Sequence, residues 1–303
     1  MDEIRRALVV VKRTAYDRYV RQAGMPRVLE LLARNDRSVA RLRRSDEHHQ
    51  RTVEEVRQAL DALGVRATFR SRDTLEVPPE VDLVMTVGGD GTLLAVSHNV
   101  RDTPMFGVNS APEDSVGYLC AAKMGDVRAH LEKVLLGQAP RVRLARMQVS
   151  VDGEVLHRRI LNDALYAHPH PANTSRYLLG HPRLGDELEE QKSSGLWVST
   201  AAGSTAAIRS AGGRAMPLGS RQLQFVVREP YEGPGTRYAL TRGFVRPGES
   251  LTVLNKLREA RIYVDGPRIA FPLEMGQLVR FSVSDEPLVL MGLSARAMAE
   301  REP

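Results

Sequence analysis

An apolar run at residues 81–87 stops at Gly88-Gly89-Asp90-Gly91-Thr92, and an amphipathic stretch, residues 92–100, begins there. A buried strand that hands over to a helix through glycines belongs in an open α/β sheet, and such sheets take ligands at their carboxyl edge. Glycines at 88, 89 and 91 let backbone amides approach phosphate oxygens, and the following helix turns the positive end of its dipole toward a polyphosphate. The turn is not a dinucleotide fingerprint, because the third glycine would fall at Leu94, and it is not a P-loop, because no Gly-Lys-Ser/Thr follows. Hydride transfer is therefore disfavoured. Asp90 adds what a tight turn does not need, a carboxylate able to accept a proton or orient a metal ion. The alternative is an Asp-Gly pair selected only for turn geometry.

The neighbouring pattern extends this α/β layer. Residues 6–11 read as a buried strand, and residues 52–63 as a helix opened by a Thr52-x-x-Glu55 capping box and closed by Gly64. Strands are expected near residues 65–69 and 105–108, and a helix near residues 126–136. Beyond residues 137–140 the period changes to β-rich runs at 144–151, 154–166, 196–200, 223–228, 251–254, 261–264 and 277–283. Asp152-Gly153 and Asp265-Gly266 lie between such runs, where hairpin turns belong. A chain of 303 residues suits two domains of about 150 residues each.

Composition excludes several classes. One cysteine, Cys120, allows neither an internal disulfide nor a cysteine-based zinc site, and a buried thiol is expected. No segment is apolar enough for a signal peptide or a membrane span, so a cytoplasmic protein without membrane partners is expected. The net charge of +6 comes from scattered basic residues, which suits small anionic substrates better than nucleic acid. The cluster Arg37, Arg41, Arg43 and Arg44 has no interleaved aromatics and reads as a solvated helix face. His168-Pro169-His170 lacks a third ligand in sequence, so no metal-ligand set is expected, and His48-His49 reads as surface.

A second run of small residues, 193–207, continues to Gly212-Gly213 and reads as a β run entering a small-residue helix. Thr200, Gly203, Ser204 and Thr205 could bring backbone and hydroxyls against a ribose or a phosphate; the alternative is a helix packed closely on a sheet. Asn162-Asp163 is a polar pair in a strand that is otherwise apolar.

Together these segments resemble the NAD kinase family: Gly88–Thr92, Phe106-Gly107-Val108-Asn109, Asn162-Asp163, and Ser199-Thr200 through Gly203-Ser204-Thr205 to Gly212-Gly213, in that order. The likeness covers about residues 6–276 and is nearest to the branch containing the mitochondrial-type animal NAD kinases, in residues 107–113, 117–120 and 191–195. It departs from the usual family pattern at Ser194, at Ala207, where an aromatic is frequent, and at Asp163, where Glu is more frequent. The resemblance implies an α/β domain with an open Rossmann-like sheet over residues 1–139, to which residues 286–303 return, and a mostly β, NAD-binding domain over residues 140–285. A nucleotide cleft between them and a homodimer or homotetramer are also implied. The implied reaction is transfer of the γ-phosphate of ATP, with Mg²⁺, to the adenosine ribose 2′-hydroxyl of NAD. Asp90 is then the general base, the amides of Gly88, Gly89 and Gly91 serve the phosphates, Asn162, Asp163, Ser204 and Thr205 hold the NAD, and Thr92, Asn109, Thr200 and Gly203 complete the nucleotide-binding set. A lipid or sugar-alcohol kinase sharing the glycine turn, and a non-catalytic nucleotide sensor, are the alternatives.

Overall fold

The protein is described by a computed structural model covering residues 4–72, 77–78, 80–113, 116–235 and 237–294. It forms two compact units, one running to Val142 and resuming at Val289, the other spanning Arg143–Leu288.

The first unit is built on a seven-stranded sheet. Its strands are β1 (Arg6–Val11), β2 (Arg66–Ser71), β3 (Leu83–Gly88), β4 (Met105–Asn109), β5 (Ala122–Lys123), β6 (Arg141–Leu144) and β19 (Leu288–Met291). The order is β2-β1-β3-β4-β19-β6, with β5 on β4. β1 pairs in parallel with both β2 and β3, and β3 with β4. Every residue of β3 is buried, which is why its sequence is a continuous apolar run rather than an alternation. Helices α1 (Pro26–Ala33), α2 (Leu42–Ala62), α3 (Asp90–Ser97) and α4 (Val127–Leu135) accompany the sheet. β19 returns the chain to β4; the rest of the expected return, residues 295–303, lies outside the described residues.

Two helix boundaries differ from the sequence expectation. α2 begins ten residues before Thr52, so no capping box forms there. Thr52 instead donates its hydroxyl to the His48 carbonyl at 2.9 Å, and Glu55 accepts the amides of Gly125 and Val127, capping the start of α4. The missed half of α2 buries polar residues, Asp46 and His49, which an apolar-periodicity reading does not score. Asp46 accepts hydrogen bonds from Thr14 and Arg21, while His49, expected at the surface, is 2% exposed and bonded to the Ser110 hydroxyl. α3 in turn starts at Asp90 rather than Thr92, with Gly89 as its N-cap.

The second unit consists of two six-stranded sheets, antiparallel throughout the pairings described. One contains β7 (Met147–Val151), β8 (Glu154–Ile160), β10 (Ser175–Gly180), β11 (Leu188–Ser193), β15 (Ser250–Asn255) and β18 (Leu278–Val283). The other contains β9 (Asp163–Ala167), β12 (Leu196–Ser199), β13 (Leu223–Val227), β14 (Arg242–Val245), β16 (Ala260–Val264) and β17 (Ile269–Leu273). Tyr166, Leu196 and Phe225 from one sheet join Tyr177, Leu251 and Phe281 from the other in a single buried cluster, as in a packed pair of sheets. The small-residue run does not form the expected helix: residues 201–206 are turns and a bend, and α5 covers only Ala207–Ser210.

Candidate functional site

In the first unit the site residues gather at the carboxyl ends of β3 and β4. Gly88 ends β3 and stands in register with Asn109, the last residue of β4. The Ser110 amide donates to the Gly88 carbonyl at 3.0 Å, and the side chain of Asn109 accepts the Ala111 amide. Gly88 is demanded by packing: a Cβ there would lie 2.3 Å from the Thr92 hydroxyl oxygen and 3.1 Å from Lys12 Cβ. Gly91, by contrast, is exposed, and a Cβ there would meet nothing within 4 Å, so this face of the turn is open to a ligand. The two glycines thus differ: Gly88 is required by internal packing, and Gly91 is exposed with open space around it.

Asp90, in the first turn of α3, does not dangle. Its two carboxylate oxygens accept the amides of Tyr118 at 2.9 Å and Leu119 at 2.7 Å. Those bonds fix the plane of the carboxylate, and each oxygen keeps a lone pair for a further donor. A half-buried acid held rigidly at a helix N-terminus, beside an open glycine, can receive a proton from a hydroxyl with little reorganisation. Cys120, next to these amides, is buried and, as the single cysteine, forms no internal disulfide.

The remaining site residues assemble at one end of the β9 sheet in the second unit. Ser199 is paired with Asp163 across β12 and β9, and Val264 with Ala164 across β16 and β9. Asn162 lies in the bend before β9 rather than inside a strand. Asp265, one residue past β16, accepts the amides of Leu161, Asn162 and Asp163 at 2.8–2.9 Å and returns its own amide to the Asp163 carbonyl. The sequence offered it only as half of a hairpin turn. Its side chain in fact fixes the backbone of the Asn162-Asp163 pair.

Asp163 and Asp265 lie in one corner of the sheet, where burial raises the proton affinity of both and the charge of Asp265 raises that of Asp163 further. Burial, then the charge of Asp265, pushes Asp163 up to about 7. Burial pushes Asp265 up to about 6, against the opposing pull of its three amide donors. Asp163 is 6% exposed, so its carboxyl holds a proton well above the usual carboxylate range.

The 199–205 segment closes this corner. The Thr200 amide donates to the Asn162 carbonyl at 2.9 Å and the Thr200 hydroxyl to the Leu161 carbonyl. A Cβ on Gly203 would fall 2.2 Å from the Asn162 carbonyl oxygen, so only glycine lets the segment cross there. Ser204 donates to the Ala201 carbonyl and accepts the Met216 amide, and both Thr200 and Ser204 are fully buried. Their hydroxyls are committed to the chain itself. Asn162 and Thr205 are half-buried, and neither side chain has a hydrogen-bond partner among the described residues. Beside them Ala207 opens a cleft of about 520 Å³ lined by Trp197, Ser210, Ala211, Arg228 and Glu229. The backbone at Glu229 has a φ of 45°, uncommon for a residue with a side chain.

Among the described residues no group of three or more His, Cys, Asp or Glu could hold a metal ion. His168 and His170 lie in the loop after β9, where the His170 amide donates to the His168 ring. No helix among the described residues is long and apolar enough to cross a membrane.

The glycine turn and its anchored carboxylate lie at the carboxyl edge of an open α/β sheet, where such sheets take ligands. Comparison with known proteins gives the class. Residues 13–139 match the ATP-NAD kinase N-terminal domain. A probable NADH kinase of Oryza sativa subsp. japonica is 34% identical over 261 residues, covering 80% of each chain. An NADH kinase of Arabidopsis thaliana is 34% identical over 267 residues, 81% of this chain and 84% of that one. The fold matches that of an NAD kinase from Archaeoglobus fulgidus in complex with ATP, with a TM-score of 0.68 at 20% identity, covering 98% of this chain and all of the other. The chain belongs to the NAD kinase family and is a kinase.

Proposed function

We propose that the protein transfers the γ-phosphate of ATP to the adenosine ribose 2′-hydroxyl of NAD, giving NADP, with Asp90 as general base. The observation that carries this reading is the Asp90 carboxylate, gripped by the Tyr118 and Leu119 amides beside the open Gly91. A ribose hydroxyl is a poor nucleophile until its proton is accepted, and positioned acceptance contributes typically ~10²–10⁴ in rate. The amide-rich turn and the N-terminus of α3 stabilise the charge that spreads over the transferring phosphoryl oxygens.

Mg²⁺ suits such a donor because it binds through phosphates and one or two carboxylates rather than an all-protein cage. Asp90 would be the chain's carboxylate toward it, and the ion would neutralise phosphate charge. In the acceptor half, Asn162, Asp163 and Thr205 contact the dinucleotide, while Thr200, Gly203, Ser204 and Asp265 hold the backbone that presents them. Self-association into a homodimer or homotetramer completes the reading and is checked by sedimentation.

NADH is the second candidate acceptor, because both plant relatives are named NADH kinases at 34% identity. Initial rates with NAD and with NADH, at saturating ATP and Mg²⁺, decide between them. A higher kcat/KM for NAD supports the first reading and a higher value for NADH the second. Absence of product with either acceptor, whether ATP, another nucleoside triphosphate or polyphosphate is the donor, refutes both.

A further inference from the structure

A second feature of the first unit lies on the far side of β1 from β3. At the carboxyl ends of β1 and β2 the surface opens into a cleft of about 380 Å³. Lys12, Arg13, Arg57 and Arg70 line it together with one carboxylate, Asp17. The Arg57 guanidinium lies 4.1 Å from the centre of the Phe69 ring, which holds it flat against the wall. Its ion pair with Glu54 is long, 3.7 Å, and solvent-exposed. Arg13 meets Asp17 at 3.9 Å. Among the described residues no carboxylate pairs with Lys12 or Arg70. The Ser71 hydroxyl, also in the lining, is buried without a hydrogen-bond partner among the described residues. Two cations without a carboxylate partner among the described residues, Lys12 and Arg70, beside a hydroxyl that has no hydrogen-bond partner there, favour the entry of an anion.

Lys12 connects this cleft to the glycine turn. Its amide donates to the Val87 carbonyl at 2.9 Å, and its Cβ sits 3.1 Å from where a Cβ on Gly88 would be. His49, which faces Lys12, adds no charge there: burial and the lysine lower its imidazole to about 4. Lys12 thus belongs to the cleft lining and also stands against Gly88, so a phosphate chain at the glycine turn has a cation of the cleft beside it.

We infer that the cleft lined by Lys12, Arg57, Arg70 and Ser71 receives the polyphosphate of the phosphoryl donor. The assignment rests on the kinase reading above. It makes these residues determinants of donor affinity, with no part in holding the dinucleotide.

The test uses the full chain and two readouts. Inorganic triphosphate is titrated calorimetrically into wild type, Arg70→Glu, Ser71→Ala and Arg57→Glu/Arg70→Glu, and KM is measured separately for ATP and for NAD. Loss of charge-assisted hydrogen bonds predicts that the double variant weakens triphosphate binding and raises KM for ATP by about 10-fold or more, with KM for NAD held. Arg70→Glu alone, which leaves the Arg57–Phe69 stack intact, should give a smaller change in the same direction. A folded Arg70→Glu protein with unchanged triphosphate affinity and unchanged KM for ATP overturns the assignment. If wild type binds triphosphate at this cleft but makes no NADP or NADPH, the site stands and the kinase reading fails; if it makes product while the variants keep wild-type KM for ATP, the reverse holds.

Discussion

Two aspartates, one in each unit, hold their surroundings by the same device and differ in what stands next to them. Asp90 accepts the amides of Tyr118 and Leu119, and Asp265 those of Leu161, Asn162 and Asp163. Asp90 stands beside a glycine with open space around it, whereas Asp265 stands beside a buried carboxyl, Asp163, whose proton affinity its charge raises. The first arrangement leaves the carboxylate accessible for chemistry. The second spends the carboxylate on shape, organising the segment that carries Asn162 and Asp163. A carboxylate bonded to amides is thus not in itself a catalytic signature; the free lone pairs and the open approach decide.

Substitutions at the two positions should separate these roles. Asp90→Asn, which also leaves one of the Tyr118 and Leu119 amides without an acceptor, should lower kcat by about 10²-fold or more while KM for NAD stays near wild type, measured by steady-state kinetics beside a melting curve. An equal change in KM would mean that Asp90 binds rather than reacts. Asp265→Asn leaves at least one backbone amide unsatisfied, which costs about 1–3 kcal/mol. The expected result is a raised KM for NAD, a lower melting temperature and an unchanged KM for ATP. A wild-type melting curve for that variant would contradict the structural role.

Smaller effects sharpen the contrast further. Gly203→Ala drives a methyl into the Asn162 carbonyl and should destabilise the second unit by about 1–3 kcal/mol in denaturant unfolding. Gly91→Ala meets open space inside α3 and should instead stabilise by up to about 1 kcal/mol, while raising KM for ATP because it covers the approach to the turn.

The paired carboxyls also predict a pH dependence. Asp163 and Asp265 titrate higher in the folded chain, at about 7 and about 6, than the unperturbed carboxyl value of about 4. The folded state therefore binds more protons between those limits, and its stability is full below about pH 4 and declines as pH rises to about 7. Asp163→Asn should flatten this decline. Chemical denaturation across that range measures it, and a stability that rises through the same window would refute the coupling.

The glycine turn and the apolar β3 were legible because their cause is local: a strand buried on both faces must be continuously apolar, and a strand-to-helix turn needs glycine. The β runs of the second unit were legible through alternation. The work of Asp265 was not, since its amide partners lie 102–104 residues away in sequence. The same holds for Glu55, whose spacing from Thr52 imitated a local capping box while its side chain caps α4, and for His49, whose polarity hid its burial. Thr200 and Ser204 were identifiable as polar groups among small residues, but only the fold reveals that their hydroxyls are already engaged.

The central claim is that phosphate passes from ATP to the adenosine ribose under the control of Asp90. It is tested most directly by following NAD, ATP and Mg²⁺ with wild type and Asp90→Asn by ³¹P NMR. Wild type should give ADP and a new 2′-phosphomonoester on the adenosine ribose, and the variant almost none. ATP consumed without that ester, or equal turnover by Asp90→Asn, would contradict it.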